Sequence, residues 1–179
     1  MSESYTLSKL ISADDIRVQI DSLADQLSKT LSSDWMVIAL MDGALLFASD
    51  VLRALYERGI NPEFENMTLS SYGDNLQSAG EITVQKGLTR NVAGKSVLLL
   101  DDVFETGLTL SKASEMILDA GAQEVKRCVF AYKSGYSDAE ATPDFIGWNA
   151  PDAFLVGYGM DFKGRYRGLP YIADLLGSS

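Results

Sequence analysis

The sequence predicts an α/β protein with a mostly parallel central sheet and helices on both of its faces. Three observations carry this. Apolar runs as short as buried strands recur at residues 35–40, 97–100 and 125–132. Segments with the apolar spacing of helices alternate with them. At two places an apolar run passes through a short turn into such a segment, and that unit gathers free backbone N–H groups at a helix start.

Ile16, Ile20, Leu23, Leu27 and Leu31 fall on one helical face, with Ser12 as N-cap and Asp15 completing a capping-box start. Residues 35–40 read as a buried strand and 44–55 as a helix that stops before Gly59. Asp42 and Gly43 stand in the turn between them, which is either an anion-binding loop or a plain connection. Residues 63–71 form the next strand. The polar segment 72–80 is a mobile lid or an ordinary hairpin connection, and 81–86 is the returning strand.

The run from Val97 reaches Asp101 and Asp102, where the strand is expected to end. Glu105, Thr106, Gly107, Leu108 and Thr109 then lead into a helix bearing Leu110, Ala113, Met116, Ile117 and Ala120, stopped by Gly121. Residues 125–132 form another buried strand. Lys133 follows it, where open α/β sheets place ligands, or else as a solvated lysine opening a loop. Residues 145–148 and 154–159 read as two further short strands, and Phe154 by itself reads as a core residue. No repeat, low-complexity segment or linker interrupts the chain, so 1–179 is expected to be a single domain.

Composition removes whole classes of chemistry. The chain has no histidine, which excludes Ser-His-Asp and Cys-His catalysis, His-bound zinc and imidazole bases. Acid–base work falls to carboxylates, lysine or tyrosine. The net charge of −10 argues against a nucleic-acid surface. No apolar run approaches the roughly 20 residues that span a bilayer, and the N-terminus lacks the basic region of a signal peptide. The single cysteine, Cys128, lies in an apolar run and reads as a core thiol, in keeping with a cytoplasmic setting.

The loop after the central strand has definite chemistry. A helix N-terminus supplies N–H donors, Thr106 and Thr109 add hydroxyls, and Gly107 lets the backbone approach a phosphate closely. Two adjacent carboxylates suit ribose hydroxyls and hydrated magnesium, a hard cation that prefers oxygen. A ribose phosphate matches both halves. An N-capped helix after a buried strand explains the same pattern except for the paired acids.

This fourteen-residue run resembles the signature of type I phosphoribosyltransferases, which bind 5-phosphoribosyl diphosphate (PRPP). Ser70-Ser71-Tyr72-Gly73, Lys133, residues 151–161 and the ending 166–171 follow in the order seen in hypoxanthine-guanine phosphoribosyltransferases. The likeness runs from about Trp35 to Leu175. It implies the type I phosphoribosyltransferase fold with a small hood from the C-terminal segment, and conversion of hypoxanthine or guanine to IMP or GMP.

Carried over residue by residue, the resemblance implies that Asp101 and Asp102 hold the ribose hydroxyls, Asp102 close to magnesium. Glu105 to Thr109 wrap the 5′-phosphate, and Glu105 is the acid beside purine N7. Lys133 donates to O6, Phe154 stacks on the base and the Leu155 backbone reads its edge. Asp161 ligates a second magnesium, Arg167 and the Asp42–Gly43 turn hold pyrophosphate, and Ser71 with Tyr72 closes as a lid. The resemblance also implies a homodimer or homotetramer.

Three positions depart from the family pattern. Glu105 replaces an aspartate, and Leu108 stands where a lysine is common. Asp42 replaces a basic residue, so the expectation is weaker PRPP binding or a greater magnesium requirement. Asp42→Lys should then change the KM for PRPP or the magnesium dependence, and no change in either rejects it. Two other classes stay open at this point: a regulator that keeps the fold and binds RNA, and a degenerate nucleotide-binding relative. Salt-sensitive RNA binding marks the first, and absence of turnover the second.

Overall fold

The computed structural model describes residues 5–71, 82–134 and 142–177. A six-stranded sheet has the order β4-β3-β2-β5-β6-β7. Its strands are β2 (Met36–Met41), β3 (Glu63–Ser71), β4 (Ile82–Lys86), β5 (Ser96–Phe104), β6 (Glu124–Lys133) and β7 (Phe145–Ala150). Every pairing is parallel except that of β3 with β4. Among the described residues the helices are α1 (Ala13–Leu27), α2 (Leu45–Glu57) and α3 (Leu108–Asp119).

Strand alternation sorts the helices onto the two faces. Val37, Ala39, Leu98, Leu100, Cys128 and Phe130 face α1 and α2, against Leu23, Leu27, Phe47 and Val51. Their neighbours Met36, Ile38, Leu40, Leu99 and Val129 face α3, against Leu110, Ala113 and Ile117. Both faces are covered, which is why these strands read as unbroken apolar runs. The expected core thiol Cys128 is fully buried.

Local signals hold closely at α1. The Ser12 hydroxyl oxygen accepts from the Asp15 N–H at 3.1 Å, and the Asp15 carboxylate accepts from the Ser12 N–H at 3.3 Å. Leu31 is buried as its spacing suggests, but it lies beyond the helix, which ends at Leu27.

Against expectation, strand β5 does not stop at the acids but runs through Asp101 and Asp102 to Phe104, held by its pairing with β6. The expected hood from the C-terminal segment is present, and an N-terminal strand completes it. A second sheet, β1-β9-β8, joins β1 (Tyr5–Ile11) to β9 (Ile172–Gly177) and β8 (Leu155–Val156). The expected strand at 154–159 reduces to the two residues of β8, because Gly157 turns back onto Met160.

Glu65 is a charged residue in the interior, 5 % exposed on β3. Its carboxylate accepts from the Thr89 hydroxyl at 2.6 Å and from the N–H groups of Asn66, Thr89 and Arg90. Burial alone pushes its pKa up, but these hydrogen bonds outweigh burial and hold it at about 2. A depressed carboxylate stabilises the fold above its ordinary pKa of 4.5 and loses that contribution as pH falls toward 2. Glu65→Ala should therefore cost about 2–4 kcal/mol at neutral pH, with the deficit shrinking on acidification. Urea unfolding of both proteins across pH 2 to 7 checks this, and a pH-independent difference rejects it.

Candidate functional site

The C-terminal ends of β2, β5 and β6 lie side by side under the hood, the usual place for ligands in an open α/β sheet. Because β5 continues as a strand through the acid pair, alternation sends successive side chains to opposite sides. Asp101 lines a cavity of about 170 Å3 with Glu105, Thr106, Gly107 and Thr109. Asp102 lines a second cavity of about 450 Å3 with Glu105, Lys133, Asp152, Phe154, Leu155 and Asp161. Val103 and Glu105 border both, so the two spaces adjoin.

The smaller cavity sits at the start of α3. Gly107 takes a left-handed conformation, φ 74°, as the helix N-cap. The Thr106 hydroxyl accepts weakly from the Leu108 N–H at 3.4 Å. The N–H groups of the first turn have no partner within the helix and are directed toward this end. Leu108 itself is exposed.

In the larger cavity Lys133 ends β6, only 7 % exposed, with its Nζ 3.3 Å from Glu105 Oε2. Parallel pairing of Phe104 with Tyr132 brings these neighbouring strand ends together. Phe154 is 52 % exposed, so the core reading of this ring is corrected. Its ring stands perpendicular to that of Phe162 with centroids 5.6 Å apart, and Phe162 in turn meets Tyr5 of β1 with centroids 5.0 Å apart. The neighbouring Leu155 is buried on β8.

Asp161 and Arg167 are found together, Nη2 to Oδ1 at 2.8 Å. Arg167 also donates through Nη1 to the Gly159 carbonyl at 2.7 Å, and the Gly164 N–H donates to Asp161 Oδ2. The turn after β2 packs against this group. A Cβ on Gly43 would lie 2.1 Å from Asp102 Oδ2, and one on Gly159, whose φ is 99°, would lie 2.0 Å from the Gly43 carbonyl oxygen. Asp42 is exposed, one residue from these contacts. Of the expected lid, Tyr72 lies outside the described residues. Ser71 ends β3, and its side chain also lies outside the described residues.

The acid pair is electrostatically unsettled. Burial, and then the charge of Asp102, pushes the Asp101 pKa well above the carboxylate range. Asp102 is raised as well, chiefly by burial, with backbone N–H groups and the Arg167 charge acting against it. Among the described residues no three of Asp, Glu, Cys or His converge as a cage for a metal. Asp102 and Asp161 open onto the same larger cavity, and their oxygens fit a hard cation that takes one or two carboxylates and completes its shell from substrate and water, as magnesium does.

A larger cavity, about 590 Å3, lies between α1 and α2, lined by Arg17, Asp21, Asp50 and Arg53. Arg17 already pairs with Asp14 and Arg53 with Asp50, so its charges are largely neutralised locally. Sequence reasoning had not singled out Asp152, Met160 and Val103 in the site. The first two lie inside the 151–161 run that carries the resemblance, which was the available signal.

Comparison with known proteins gives a consistent result. The phosphoribosyl transferase domain model matches residues 12–163. The hypoxanthine-guanine phosphoribosyltransferase of Aquifex aeolicus is 36% identical over 168 residues, 93% of each chain. The hypoxanthine phosphoribosyltransferase of Escherichia coli is 31% identical over 175 residues, covering 96% of this chain and 97% of that one. The crystal structure of a hypoxanthine phosphoribosyltransferase from Staphylococcus aureus superposes with a TM-score of 0.87 at 29% identity, covering 94% of this chain and 91% of that one.

Proposed function

The chain belongs to the phosphoribosyl transferase family as a purine-salvage enzyme of the hypoxanthine-guanine type, and we propose that its two adjoining cavities divide the substrates between them. The larger takes the oxopurine and the smaller the 5′-phosphate of PRPP, with the ribose bridging them. One observation carries this: Lys133 and Glu105, a donor and a carboxylate, meet at 3.3 Å on the wall of a cavity of about 450 Å3 that Phe154 and Asp102 also line.

In this reading Phe154 offers its exposed face to the purine and Lys133 donates to O6. The base nitrogen forms a bond to C1 of the ribose as the bond from C1 to the pyrophosphate oxygen breaks. Positive charge develops on the ribose, and Glu105 accepts the proton that the purine gives up from N7. Asp101 and Asp102 orient the ribose hydroxyls, while Thr106, Gly107, Leu108 and Thr109 surround the 5′-phosphate. Arg167 and the turn at Asp42 and Gly43 face the departing pyrophosphate. Asp102 and Asp161 would hold magnesium, which when bound neutralises pyrophosphate charge as a Lewis acid. Arg167 also pairs directly with Asp161, so the guanidinium and this carboxylate are held together at the same end of the site. Closure of Ser71 and Tyr72 would exclude water from the activated sugar.

A cytoplasmic setting and assembly into a homodimer or homotetramer belong to the same proposal, supported by family likeness. No described helix is long and apolar enough to cross a membrane. The direct test supplies PRPP and magnesium with hypoxanthine, guanine, xanthine or adenine in turn. Oxopurines should turn over and adenine should fall at least about a hundredfold lower, because its amino group offers Lys133 no acceptor. Comparable adenine turnover, or none with any oxopurine, overturns the reading.

A further inference from the structure

Tyr158 does no chemistry in this scheme, yet it is 5 % exposed and sits in the middle of the turn that carries Gly159 and Asp161. Its ring packs edge-on against Phe130 at 5.0 Å, and a phenylalanine would fill that space equally well. The hydroxyl is what needs explaining. It donates to Asp50 Oδ2 at 2.7 Å, a residue of α2 that lies 108 positions earlier in the chain. Burial, and then this bond, raise the phenol pKa well above its ordinary value, so the O–H remains a donor at every working pH.

The bond joins two pieces of the site that otherwise meet where Gly159 packs against Gly43. On one side, α2 begins just after the Asp42–Gly43 turn. On the other, Tyr158 donates its N–H to the Leu169 carbonyl and Gly159 donates to the Arg167 carbonyl, so the turn carries the Arg167 segment with it. Gly159 fits against the Gly43 carbonyl only because it lacks a Cβ, and Arg167 grips the Gly159 carbonyl. A small displacement of the turn would therefore move Arg167 and open the contact with Gly43 together. Tyr158 also adopts φ 50°, an unusual conformation for a side-chain-bearing residue.

We propose that the hydrogen bond from Tyr158 to Asp50 is a strut that locks the hood turn onto α2 and thereby sets the geometry of pyrophosphate binding. Tyr158 and Asp50 are positioning residues, and the inference rests on the functional reading above. Asp50 keeps a second partner in Arg53, so its carboxylate stays oriented when the phenol is removed.

The test is Tyr158→Phe in the magnesium-loaded enzyme, which deletes one hydroxyl and retains the ring. The KM for PRPP should rise about five- to tenfold, while the KM for hypoxanthine stays within about twofold. Stabilisation of the protein by PRPP with magnesium in thermal unfolding should fall in parallel. Asp50→Ala should reproduce the defect, Asp50→Asn should largely restore binding by keeping an acceptor, and the double variant Tyr158→Phe/Asp50→Ala should be no worse than either single one. An unchanged KM for PRPP in Tyr158→Phe, or equal rises for both substrates, overturns the strut. Wild-type protein showing neither turnover nor PRPP stabilisation overturns the functional reading instead.

Discussion

Glu105→Gln should lower kcat at least about a hundredfold while the KM for PRPP stays within about threefold. The substitution keeps the length of the side chain and an oxygen that accepts from Lys133, so the 3.3 Å contact has a neutral equivalent. What it removes is the ability to take a proton. Because the Glu105 side chain is 46 % exposed, its loss should leave thermal stability almost untouched, which separates chemistry from folding. Glu105→Asp tests the other half of the argument. It keeps a carboxylate but shortens its reach toward Lys133, so kcat should be retained better than in the glutamine variant. Steady-state rates with hypoxanthine decide the matter. A glutamine variant with kcat within threefold of wild type would mean the purine proton leaves by another route.

Gly43→Ala should reduce kcat/KM for PRPP at least about a hundredfold, because a displacement of this size in a reacting site costs that much. The glycine has no positive φ to protect, so an alanine backbone is unstrained there. The collision is with the site: the added carbon would lie 2.1 Å from Asp102 Oδ2 and 2.6 Å from its Cγ. The carboxylate must swing out of place, or the turn must retreat from both Asp102 and Gly159. Either outcome disturbs the position assigned to ribose and magnesium, so a higher magnesium requirement should accompany the loss. The protein should still fold, with a stability cost of about 1–3 kcal/mol. Wild-type activity and magnesium dependence in this variant would show that Asp102 need not occupy its observed position.

Local chemistry accounts for the elements that the sequence alone revealed. The Ser12–Asp15 capping box needs only four consecutive residues, and the apolar faces of α1 and α3 need only helical spacing. Strand β2 and the Val97–Leu100 half of β5 announce themselves because both of their faces are covered, leaving no polar positions to break the run. The loop from Glu105 to Thr109 and the lysine at the end of β6 were visible for a related reason. A strand end, a turn and a helix start are contiguous in the chain.

Elements whose burial depends on distant partners were not visible. Strands β1 and β9 are partly exposed, and they pair with each other across nearly the whole chain, with β8 on the far side of β9. Their absence from the sequence reading also hid the ring contact from Tyr5 to Phe162 that backs Phe154.

The sequence by itself determined the α/β class, the helix starts and most of the residue types that the site uses. Only the tertiary structure decided that Asp101 and Asp102 face different cavities, since that depends on β5 being held as a strand to Phe104 by β6. Only it decided that Arg167 grips Asp161, that Gly43 must leave room for Asp102, and that Tyr158 reaches Asp50. Caps and periodicities are written in neighbours along the chain, whereas these contacts exist only after strand order and register have brought remote segments together.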